Sequence, residues 1–134
     1  MRRILFTVAL VVTAASAAGA QPARPPARPP ARALFLFLFR PGPAWVAGRP
    51  MSQQDLRAHA AYHAALVRDG RAVAAGGYVG MGGGLAVVRA AHMAEARAML
   101  AADPAIRTGV FSAEVRQWQP RFHSERPLVE VSRQ

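Results

Sequence analysis

Between Gln21 and Arg32 the sequence reads Gln-Pro-Ala-Arg-Pro-Pro-Ala-Arg-Pro-Pro-Ala-Arg, and no other stretch limits the fold more. Proline fixes φ and lacks an amide hydrogen, so the segment favours extended polyproline II and joins neither a helix nor a sheet interior. It is expected to be a semi-rigid spacer, with a PxxP ligand for a partner domain as the sharper alternative. A folded unit must therefore begin after it.

The segment before it has the three parts of a secretory leader. Arg2 and Arg3 supply positive charge, Ile4–Val12 opens an apolar run that continues through Ala15, and Ala18-Gly19-Ala20 places small residues at a cleavage site. A retained anchor is the alternative, but the second half of the run is weakly apolar Ala, Ser and Gly. The expectation is a signal peptide over 1–20, cleaved near Ala20/Gln21, no stable membrane anchor afterwards, and a periplasmic or secreted protein. With no cysteine after the apolar run, lipid attachment is excluded.

The chain has 134 residues and no cysteine, so the mature part beyond the leader is one modest domain that relies on its core or on oligomerisation. Net charge is +10, and every basic residue is arginine. Within the expected domain, 33–122, the arginines are scattered singly, with no basic run interleaved with aromatics. No nucleic-acid partner is expected. The charge is compatible with attraction to anionic surfaces or acidic small molecules.

Ala33–Phe39 is an unbroken apolar run rich in phenylalanine, stopped by Arg40-Pro41-Gly42-Pro43, and reads as a strand buried on both faces. Ser52-Gln53-Gln54-Asp55 resembles a capping box and opens a helix to Asp69, with Gly70 as its stop. Leu56, His59, Ala60, His63, Leu66 and Val67 mark one face of that helix. Arg71–Val79 reads as a second strand, Met81–Gly84 as a turn and Leu85–Val88 as a third strand. Met93–Ala102 is a second helix ended by Asp103-Pro104, and Val110–Trp118 is a fourth strand. Residues 123–134 read as a polar tail.

The order βαββαβ implies an α+β, ferredoxin-like domain, a four-stranded antiparallel sheet with two helices on one face. Its other face is left uncovered, which makes a homodimer the economical expectation.

Three stretches then carry a resemblance. They are Arg40-Pro41-Gly42-Pro43-Ala44-Trp45; Leu56–Tyr62 with Leu66, Asp69-Gly70-Arg71 and Ala75-Gly76; and Ala96-Arg97-Ala98 with Leu100, Ala102-Asp103-Pro104-Ala105, Gly109-Val110-Phe111 and Glu114-Val115. In these the chain resembles the YCII family of the dimeric α/β-barrel superfamily, over nearly the whole domain. The resemblance implies that His59 and Asp103 face a shared pocket as the catalytic pair. Relatives in the wider superfamily isomerise lactones or eliminate chloride from hydroxylated aromatics, reactions that begin with proton abstraction. A carboxylate that orients an imidazole fixes its tautomer and makes it a candidate general base. Members usually carry Ala-Gly-Pro and a polar, often acidic loop after the second strand. This chain has Ala75-Gly76-Gly77-Tyr78-Val79-Gly80-Met81-Gly82-Gly83-Gly84, without a charge.

His59 and His63 stand at i,i+4, a spacing found in metal ligands, but Ala60 takes the place of a metalloprotease glutamate and the third ligand would be distant, so no metal or other cofactor is expected. The glycine run lies between strands and lacks phosphate-cradling geometry. Tyr62, His63, Tyr78 and Trp45 are the candidate ligand-binding residues, and a small organic molecule the expected ligand. Two functions are compatible with these residues: a small lyase or isomerase with His59 as base, or a non-catalytic envelope protein that binds a ligand in its pocket or serves as an interaction module.

Overall fold

A computed structural model describes residues 32–124. The expected leader, nearly all of the spacer, and the tail beyond Ser124 lie outside the described residues.

The chain forms β1 (Ala33–Pro41), a 3-10 turn (Met51–Gln53), α1 (Arg57–Arg68), β2 (Ala72–Gly77), β3 (Gly84–Ala90), α2 (Met93–Ala101), α3 (Pro104–Arg107) and β4 (Phe111–Trp118). The four strands make one sheet in the order β2-β3-β1-β4, with every neighbouring pair antiparallel. This is the expected α+β, ferredoxin-like architecture, with a third, one-turn helix added. Asp103 caps that helix by accepting the Ala105 amide at 2.9 Å, and Pro104 occupies its first position, where no amide donor is needed.

Because side chains alternate along a strand, the phenylalanines of β1 all point one way. Phe35, Phe37 and Phe39 are buried under the helices with Ala86, Val88 and Ala90 of β3 and with Leu66, Ala96, Met99 and Leu100. Leu34, Leu36 and Leu38 point the other way and are only half-buried. The reading of β1 as buried on both faces is thus corrected: within the chain, helices cover one face alone.

The first helix also begins later than expected. Gln54 takes an extended backbone, with φ −82° and ψ 155°, and interrupts the helical run after the 3-10 turn. Neither Ser52 nor Asp55 caps α1, whose N-cap position falls to Leu56 without a side-chain bond. Gln54 instead turns inward. Its Oε1 accepts from the Val46 amide, and its Nε2 donates to the Val46 and Arg49 carbonyls, at 2.9–3.0 Å. A residue that reads as helix interior is in fact a clamp on the preceding loop.

α1 and α2 are joined where the Tyr62 hydroxyl donates to the Met99 carbonyl at 2.7 Å. α2 has a reciprocal cap: the His92 ring accepts the Glu95 amide, and the Glu95 carboxylate accepts the Ala91 amide.

Candidate functional site

α1 presents His59 and His63 one turn apart on the side facing the end of α2, and the turn into α3 brings Asp103 beneath them. Asp103 is fully buried. His59 Nδ1 lies 2.9 Å from each of its oxygens, and His63 Nε2 lies 2.9 Å from Oδ2. With the Ala105 amide on Oδ1, the carboxylate is surrounded by donors.

Burial alone would raise the Asp103 carboxyl. Hydrogen bonds from His59 and His63, the charge His59 can carry, and the Ala105 amide outweigh it and hold the group at about 2. An ionised carboxylate only accepts hydrogen bonds, so both imidazoles must donate to it. That puts a hydrogen on His59 Nδ1 and on His63 Nε2. In the neutral ring His59 Nε2 carries the lone pair; it has no hydrogen-bond partner among the described residues, on a ring that remains 18% exposed. His63 is nearly closed off, and its Nδ1 is buried without a partner.

Aromatic rings set the walls. Phe39 meets both imidazoles edge-on, with centroids 5.2 and 5.5 Å away, and Phe111 meets His59 at 5.2 Å. Trp45 stacks on Phe111 at 5.6 Å and an interplanar angle of 25°. These rings and the two histidines border an open cleft of about 1630 Å³ between α1, the Trp45 loop and the β2–β3 hairpin. The glycines of the hairpin allow a close approach: a Cβ on Gly82 would stand 2.9 Å from Trp45 and Pro41 atoms.

Of the residues expected from the sequence, His59, His63, Trp45 and Tyr78 all border this cleft, with Asp103 directly behind the histidines. Tyr62 is outside its lining and commits its hydroxyl to Met99. Burial raises the Tyr62 phenol, and Asp103 adds to the effect against the opposing pull of Arg71. Sequence reasoning missed that His63 shares the Asp103 carboxylate. The i,i+4 spacing was the available signal, since it sets two imidazoles over one acceptor as readily as over one metal.

The nearest donor atoms of His59, His63 and Asp103 lie within 4.8 Å of one another, a set that could in principle hold zinc. The chemistry fits a hydrogen-bonded cluster better. The N–O separations of 2.9 Å are hydrogen-bond lengths. A metal-bound His63 would also carry its second N–H at the buried Nδ1, where no acceptor stands.

A family model described as YCII-related domain matches residues 33–119, more than half of the chain. No curated protein and no solved structure matches it.

Proposed function

The chain belongs to the YCII-related family, and from that premise we propose that it is an exported lyase or isomerase of small molecules in which His59 removes a proton. The observation that carries this reading is the pairing of His59 Nδ1 with the buried Asp103 carboxylate, at 2.9 Å to both oxygens. In the neutral imidazole the pairing leaves Nε2 as the lone-pair nitrogen, on a partly exposed ring beside the cleft.

His59 Nε2 takes a proton from a carbon next to a carbonyl, or from the carbon adjacent to one that bears a leaving group. The electron pair left behind either forms the double bond that expels the leaving group or is held on the carbonyl oxygen until the proton returns elsewhere. Asp103 keeps the ring in the reactive tautomer and balances the imidazolium that forms, the role a carboxylate plays behind a catalytic histidine. His63 donates to Oδ2 of the same carboxylate and helps anchor it. The sheet face opposite the helices supports a homodimer as the working form, since Leu34, Leu36, Leu38, Leu85, Val87 and Trp118 lie on it, none of them fully buried.

The test is a screen of the purified protein against chlorinated hydroxyaromatics and lactones, run beside His59→Ala. A general base contributes about 10²–10⁴-fold, so His59→Ala should lose at least about a hundredfold in kcat. Turnover that survives the substitution unchanged would sink this mechanism. Ligand binding with no turnover by either protein would favour the non-catalytic reading.

A further inference from the structure

The cleft beside His59 carries formal charge of one sign. Its wall includes Arg49, Arg57 and Arg68 and no carboxylate. Asp103 is fully buried behind the imidazoles, and Asp55, though near Arg57 in sequence, is not part of the wall. Arg68 has Asp69 at 3.9 Å, whereas Arg49 and Arg57 form no ion pair among the described residues. The loop that bears Arg49 is pinned at the Arg49 carbonyl by buried Gln54, three residues before Arg57 opens α1. Two unpaired guanidinium groups are therefore carried by segments held to one another. The same cleft offers the half-buried ring of Trp45, backed by the buried Phe111 on which it stacks.

We propose that this cleft binds a small planar organic anion, a carboxylate or phenolate, with its charge toward Arg49 and Arg57 and its ring against Trp45. The inference rests on reading the cleft as the site of His59 chemistry and names the substrate class for it. A cleft with low-dielectric walls focuses the field of its rim charges and raises the local concentration of the opposite ion. A flat aromatic wall favours a ring that can stack on it or meet it edge-on. A guanidinium matches a carboxylate through paired N–H donors. With the charge held at the arginines, the group that His59 deprotonates is a neutral C–H elsewhere on the ligand.

The experiment compares benzoate with benzamide, which share shape and differ in charge, by isothermal titration calorimetry at low salt. Benzoate should bind at least about tenfold more tightly, the ratio that a single modest charge contact gives. In the double variant Arg49→Gln/Arg57→Gln the preference should fall to within about twofold, and in the unsubstituted protein it should shrink as salt is added. Both arginines are exposed, so their removal leaves the core intact. His59→Ala should keep the preference for benzoate while losing turnover, which separates a failure of this proposal from a failure of the base mechanism. Equal binding of the two probes, binding of neither, or a preference unchanged in the double variant overturns it.

Discussion

Two rows of large apolar side chains leave β1 in opposite directions and meet different fates. Phe35, Phe37 and Phe39 are 1%, 0% and 5% exposed. Leu34, Leu36 and Leu38, one residue out of phase, are only half-buried, with Leu85, Val87 and Trp118 around them on neighbouring strands. The same strand is thus core on one side and surface on the other. Local sequence separates the rows by residue type, Phe under the helices and Leu away from them, but does not mark either as wet. An unbroken apolar run records that both faces need cover; it does not record where the cover comes from.

The sharpest way to test the contrast is paired truncation. Phe37→Ala empties a fully enclosed position and should cost about 3–5 kcal/mol in chemical denaturation. Leu36→Ala should cost about 1 kcal/mol or less in dilute protein, where only part of its area leaves water. If the outer face is a dimer interface, that cost grows with protein concentration. Equal costs for both substitutions at every concentration would erase the distinction between the faces.

The second test concerns charge. Asp103, beneath the helices, is the buried carboxylate among the described residues. Its carboxyl sits at about 2, below the ordinary value of 3.8, so it contributes stability above about pH 4 and loses that contribution as pH falls toward 2. Asp103→Asn should lower stability by about 2 kcal/mol at neutral pH, with the gap from the unsubstituted protein closing over that acid range. A gap that stays constant down to pH 2 would contradict the depressed value.

The smallest effect belongs to the outer face. Glu114 and Arg116 pair there at 2.9 Å, both well exposed. Glu114→Ala should change the melting free energy by less than about 0.5 kcal/mol in dilute protein. A larger loss, seen only in concentrated protein, would place the pair within an interface.

Much of the fold could be read from the sequence because its signals are local. The Phe-rich run, the 3.6-residue spacing around Leu56 to Val67 and the proline and glycine stops define strands and helix without tertiary information. The His59–Asp103 pair comes from the YCII resemblance and not from spacing, since 44 positions separate the two residues. Gln54 escapes because its conformation is set by carbonyls of a loop earlier in the chain, and a helix-compatible residue gives no sign of that. α3 reads as a tight connection although Asp103-Pro104 is a sound helix start; a single turn is too short for periodicity to register. His63 is legible as a neighbour of His59, but its bond to Asp103 depends on how α1 packs beside the turn into α3.

The Ala105 amide has a use that comes from its place on Asp103. The carboxylate that holds the two histidines also holds this backbone hydrogen, so the start of the turn at 103–107 and the histidine cluster share one anchor. Hydrogen–deuterium exchange at Ala105 is therefore a clock for the assembled cluster. It can be followed without a substrate, and it should run faster in His59→Ala, where Asp103 has lost one of its partners.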